Sequence, residues 1–157
     1  MKFVLGAAQL GMSYGLFNKS RVHKKEFRKI EKLIFKSNIS FIDTAPTYGN
    51  SERIIGNSRL RRLKIITKIK IGRNRNENIQ KIINQKITKS LLRLNTKSIY
   101  GLMLHDTNDI LGKNRDELLK CLKLLKRKKL VKKIGISIYS TNELDKVWKF
   151  WRPDIVQ

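Results

Sequence analysis

Apolar, β-branched runs recur along this chain, and each of the first five is followed by a polar or helix-like segment before the next begins. The runs are KFVLGAA (2–8), ISFIDTA (39–45), LKIITKI (63–69), SIYGLMLH (98–105), KKIGISI (132–138) and PDIVQ (153–157). Between them, apolar residues repeat every three or four positions. Phe27, Ile30, Leu33 and Ile34 predict a helix over about 24–37, and a short helix starts near Ser51. Ile79, Ile82, Ile83, Ile87, Leu91 and Leu94 form one stripe, and Leu118, Cys121, Leu122 and Leu125 form another. Ser140 and Glu143 predict a capping box that opens a helix carrying Leu144, Val147, Trp148 and Trp151 on one face. Continuous apolar strands alternating with amphipathic helices predict a parallel α/β sheet covered on both faces.

Pattern alone leaves two arrangements open, a doubly wound sheet and a TIM-type barrel. A complete (β/α)₈ barrel takes about 250 residues, and this chain has 157. Five βα units and the start of a sixth strand would make it an incomplete barrel. No linker or low-complexity segment divides the chain, so residues 1–157 are expected to form a single domain.

The net charge of +24 raises the question of a polyanionic partner. The basic residues are spread over nearly every predicted helix and loop. The densest runs, RLRRLK (59–64) and KRKKLVKK (126–133), lack the interleaved aromatics of a single-strand binding groove. Solvated helix faces are therefore the expected reading, with no specific nucleic-acid binding. No apolar run approaches the length of a membrane span, and the first residues lack the apolar core of a signal peptide. Cys121 is the only cysteine, which excludes an internal disulfide and suits a cytoplasmic location. Its helical spacing marks it as a core residue. No His, Cys and Asp cluster has metal-ligand spacing, and Gly6, Gly11 and Gly15 do not fit GxGxxG, so a tight turn is expected after the first strand.

In parallel α/β folds, sites gather at the carboxyl ends of strands. Strand 2 delivers Asp43 there, with Tyr48 on the following loop. Strand 3 delivers Lys68, strand 4 His105, strand 5 Ser137 and strand 6 Gln157. Each residue alone has an ordinary explanation: a turn-forming aspartate, a packing tyrosine, a surface lysine, a core histidine. Together they make a chemical set. An ammonium lowers a neighbouring tyrosine's pKa, a carboxylate holds that ammonium charged, and an imidazole orients a carbonyl oxygen. Such a set can protonate a carbonyl oxygen while a nicotinamide delivers hydride to carbon.

The stretches LGAAQLGMSYG (5–15), FIDTAPTYGNSE (41–52), ITK (66–68), LMLHD (102–106), IGIS (134–137) and PDIVQ (153–157) resemble the aldo-keto reductases essentially from end to end. The resemblance implies a (β/α)₈ barrel and reduction of aldehydes or ketones with NADPH, or with NADH. It makes Tyr48 the general acid, tuned by Lys68 and Asp43, with His105 orienting the carbonyl. Ser137 and Gln157 match positions that bond the nicotinamide carboxamide. Two departures stand out. Ile138 follows Ser137 where the family commonly has Asn. The family's cofactor-phosphate contacts lie after strands 7 and 8, which are not in this sequence. The chain is thus expected to be an amino-terminal portion, inactive by itself and prone to self-association through open sheet edges. The rival expectations are a non-catalytic remnant that binds polyanions through its basic surface, and a half-barrel completed by another chain.

Overall fold

A computed structural model describes residues 3–15, 20–72 and 78–157. Six strands form one sheet in the order of the sequence, every neighbouring pair parallel. They are β1 (Val4–Gly6), β2 (Phe41–Asp43), β3 (Lys64–Ile69), β4 (Ile99–Leu104), β5 (Val131–Ile136) and β6 (Ile155–Val156). The helices are α1 (Ala8–Gly11), α2 (Lys24–Lys36), α3 (Ser51–Gly56), α4 (Ile79–Arg93), α5 (Asn108–Leu111), α6 (Arg115–Arg127) and α7 (Thr141–Trp148), with a 3₁₀ turn at Arg59–Arg62.

The sheet is curled, and one side-chain contact measures the curl. Gln157, just after β6, donates from Nε2 to Asp43 Oδ2 at the end of β2, 3.2 Å away. Four strand spacings separate β2 from β6. In a flat sheet they would place the two backbones about 19 Å apart, beyond the reach of a glutamine and an aspartate. The strands therefore follow an arc, and the architecture is an incomplete TIM-type barrel. Among the described residues β1 and β6 are each paired on one side only.

Alternation along the strands separates two packed layers. Ile42, Ile65, Ile69, Leu102, Leu104, Ile134 and Ile136 join the helix-side core with Ile34, Ile83, Ile87, Leu118, Leu122 and Val147. Residues of the other parity face inward: Asp43, Ile66, Lys68, Gly101, Met103, His105 and Ser137. The inward layer is dense. A Cβ on Gly101 would lie 2.9 Å from Ile155 Cδ1, and one on Gly135 would lie 2.6 Å from the Ile155 carbonyl oxygen.

Several expectations need correcting. The expected tight turn after the first strand is the short helix α1, and α5 and the 3₁₀ turn carry no periodic signal long enough to read. Leu33 is 67% exposed although it shares the predicted face of α2, and Trp148 is 44% exposed on α7. In α7 only Val147 is fully buried, Trp151 lies beyond the helix end, and the Arg152 guanidinium sits 4.9 Å over the Trp148 ring. The Ser140 cap forms, its Oγ accepting from Glu143 N. The return bond is shifted by one residue: Glu143 accepts from Tyr139 N at 2.8 Å.

Candidate active site

At the carboxyl ends of β2 and β3 two opposite charges are buried together. Lys68 is 2% exposed and Asp43 7% exposed. The Lys68 Nζ donates to both Asp43 carboxylate oxygens at 2.6 Å. Burying either ion alone would be costly, and the pair meets because β2 and β3 are neighbours whose inward parity includes both residues. Gln157 adds a second donor to Asp43, reaching across the arc.

Tyr48 lies above this pair. Its hydroxyl is 3.5 Å from Lys68 Nζ, and the ammonium is 5.2 Å from its ring centroid. The loop that carries it is fixed by contacts that sequence reading did not anticipate. Gly11, at the end of α1, packs so closely that a Cβ there would lie 1.9 Å from the Tyr48 carbonyl oxygen and 2.3 Å from Ser51 N. Gly49 follows with φ +57, in the left-handed region that glycine adopts without strain. Below the loop, Ser51 Oγ donates to the Ala7 carbonyl at 2.7 Å and accepts from Thr44 Oγ1 at 3.0 Å. Glu52, 1% exposed, accepts from Thr67 Oγ1 at 2.7 Å and from Arg93 Nε at 2.6 Å. The tyrosine loop is thus tied to β1, β2, β3 and α4. Tyr14 joins from the loop after α1, its ring 6.4 Å from that of Tyr48.

The electrostatics differ from the expectation in one respect. The Tyr48 pKa is raised above its ordinary 10.0, first by burial and then by the Asp43 carboxylate, with Tyr14 and Tyr139 adding to it. Burial and the Asp43 carboxylate thus outweigh the lowering expected from the Lys68 ammonium, 3.5 Å from the hydroxyl. Tyr48 is therefore a protonated phenol, a hydrogen-bond donor, throughout the neutral range.

His105 closes the site from the end of β4. Its backbone N–H is held by the Ile69 carbonyl at 2.8 Å. Its pKa is lowered from 6.5, by burial first and then by the Lys68 and Lys70 ammonium groups, against a smaller opposing pull from Asp106 and Asp43. The imidazole is consequently neutral at pH 7. An NMR titration of His105 should give a midpoint below 6.5, and a midpoint at or above it would contradict this electrostatic picture. Because the folded-state pKa is depressed, the linked stability is present above about pH 6.5 and is lost as the pH falls through the folded value.

Ser137 and Gln157 stand on adjacent inward positions, tied together by the main chain. Ser137 N donates to the Leu104 carbonyl, and Ile138 N donates to the Gln157 carbonyl at 2.8 Å. With Gln157 Nε2 engaged by Asp43, the amide oxygen remains as an acceptor. A hydroxyl and an amide oxygen together offer one donor and one acceptor. That is the complement of a carboxamide, so the residues present fit the amide end of a nicotinamide.

The barrel arc has counterparts among known proteins. A family model described as Aldo/keto reductase family matches residues 2–157. No significant match is found among curated proteins. Among solved structures, a protein described as a "putative aldo-keto reductase" from Pseudomonas aeruginosa superposes with a TM-score of 0.76 at 24% identity, covering 98% of this chain and 61% of that one. An aldo-keto reductase from Bacillus halodurans, in its holo form, gives 0.71 at 22% identity, covering 98% and 51%. One from Klebsiella pneumoniae, in complex with NADPH, gives 0.65 at 19% identity, covering 94% and 49%. The chain spans 61% or less of the length of these structures. With residues 2–157 matched and the barrel arc shared, the chain belongs to the aldo/keto reductase family.

Proposed function

We propose that these residues carry the proton-donating machinery of an NAD(P)H-dependent reductase of aldehydes or ketones, with Tyr48 as the general acid. The observation that carries the reading is the buried Asp43–Lys68 pair with the Tyr48 hydroxyl 3.5 Å from its ammonium. The reduced nicotinamide, NADPH or NADH, supplies hydride to the carbonyl carbon when bound. As charge gathers on the carbonyl oxygen, Tyr48 gives up its phenolic proton to it. Lys68 then stabilises the phenolate, which is where its charge is needed, and Asp43 holds Lys68 in place. His105, neutral, donates a ring N–H to the same oxygen and fixes its direction. Ser137 and Gln157 would hold the carboxamide. A small carbonyl compound is the substrate class. A cytoplasmic setting accords with Cys121, the one cysteine, being free and buried. Among the described residues no helix is long and apolar enough to cross a membrane.

Closure of the barrel belongs to this reading. Exposed edges at β1 and β6 favour association, and a complete barrel holds, beyond these elements, a helix after β6 and two further βα units. The 157 residues alone are expected to associate on a sizing column and to leave NADPH unoxidised in the presence of an aldehyde. Joined to a helix after β6 and two further βα units, they are expected to be monodisperse and to consume it. Turnover by the 157 residues alone would show that closure is not required. Absence of turnover from a folded, closed barrel over a panel of aldehydes and ketones, with either cofactor, would overturn the reading.

A further inference from the structure

The basic residues are not distributed evenly by type. Of 36 basic side chains, 24 are Lys and 12 are Arg. Among the described residues, six of the chain's 12 arginines line one groove outside the barrel, against a single lysine, Lys24. The groove runs between α2 and the segment from α3 through the 3₁₀ turn. It consists of two adjoining cavities of about 500 and 420 Å³ that share Phe27, Asn57 and Ser58. Its arginines are Arg21, Arg28, Arg53, Arg59, Arg61 and Arg62.

Among the described residues none of these six forms an ion pair, whereas Lys126 and Lys133, on the other basic surface, both pair with Asp154. The one carboxylate in the groove, Glu31, accepts from the Arg59 backbone N–H at 2.8 Å. Some of the arginines are already oriented. Arg21 Nε donates to the Leu10 carbonyl at 3.2 Å, and the Arg59 guanidinium stacks 4.6 Å over the Phe35 ring. A chain that uses lysine twice as often as arginine has concentrated the planar, forked cation in one concave place. That cation is the one suited to bidentate phosphate recognition.

We propose that this groove is a binding site for a small polyphosphorylated anion, a ligand with two or more linked phosphoryl groups, separate from the carbonyl-reducing site. Both cavities fall within the size of small-ligand pockets, and each is lined by arginines, two in one and four in the other. Asn57 and Ser58, at the junction, add neutral polar groups. A nucleic-acid strand is the poorer occupant, because among the described residues Phe27 is the one aromatic lining the groove and it packs against the core.

The test is calorimetric titration of the chain with tripolyphosphate. It compares Arg28→Gln/Arg53→Gln, one change in each cavity, with Lys120→Gln/Lys123→Gln, which removes equal charge from the exposed face of α6. Saturable one-site binding is expected, weakened at least about tenfold by the arginine pair, in line with the loss of charge-assisted bonds. The lysine pair should leave it within about twofold, because exposed charges remote from a site act only through a screened field. Thermal melting of both variants checks that they fold. Amide shifts of the unaltered chain give a second readout: Asn57, Ser58 and Arg59 should move on titration, and Lys120 and Lys123 should not. Equal weakening by the two pairs, or shifts spread over all basic faces, would reduce the effect to net charge and overturn the proposal. Displacement of tripolyphosphate by a short oligouridylate at equal phosphate concentration would also overturn it, making the groove a nucleic-acid surface.

Discussion

Replacing Tyr48 with Phe should lower carbonyl reduction by about 10² or more while leaving nicotinamide binding unchanged, measured on the barrel in its closed, reducing form. The substitution removes one oxygen and almost no volume. The ring keeps its neighbours, Tyr14 at 6.4 Å and the Lys68 ammonium at 5.2 Å, so the loop stays seated. What disappears is the proton donor. The remaining donors toward the carbonyl are His105, whose neutral imidazole is a far weaker acid than imidazolium, and solvent. The loss should therefore fall on kcat and kcat/KM together, the pattern for an interaction made in the transition state. Equal rates in the two proteins would mean that Tyr48 is not the acid. Loss of cofactor binding in parallel would mean that the loop had moved.

The order of elements was legible because each strand is apolar on both faces and each long helix has a single stripe. The curl of the sheet was not, since strand patterns are the same in an open sheet and in a barrel. What separates them is a contact between Gln157 and Asp43, 114 positions apart in the chain. The strand-end polar residues stood out in the sequence because a carboxylate, an ammonium and an imidazole each ended an apolar run. Lys68 and Asp43 meet as that placement implies. The Tyr48 pKa moves in the direction opposite to the simple expectation, because burial raises it first and the Asp43 carboxylate next, and the sequence does not show how far the phenol is withdrawn from water. The supports of the tyrosine loop were illegible for a different reason. Gly11 and Ser51 are ordinary residues in ordinary spacing, and their roles are close approach and a buried hydroxyl bond, which depend on distances between segments. The arginine groove was half legible. RLRRLK is a visible run, but its partners Arg21, Arg28 and Arg53 come from other parts of the chain.

Lys68→Met should destabilise the fold by about 3–5 kcal/mol at neutral pH, read as a shift of the urea midpoint, because it leaves Asp43 as an uncompensated buried charge. Asp43 is 7% exposed, and its two bonds to Lys68 at 2.6 Å would be gone, leaving the single contact from Gln157 at 3.2 Å. The double variant Asp43→Asn/Lys68→Met should recover most of that loss. It has no buried charge, the new side-chain amide oxygen can still accept from Gln157, and methionine fills the lysine stem's space. A buried ion pair is often worth no more to stability than a neutral pair of similar volume. If the double variant is as unstable as Lys68→Met alone, the cost comes from packing of the lysine stem and not from the stranded carboxylate. If it recovers stability yet reduces no carbonyl, the two effects are separated. The fold then tolerates a neutral pair at these positions, and the charge is kept for the phenol 3.5 Å away. The Lys68 Nζ can pair with Asp43 in the resting site and stabilise Tyr48 only when the proton leaves.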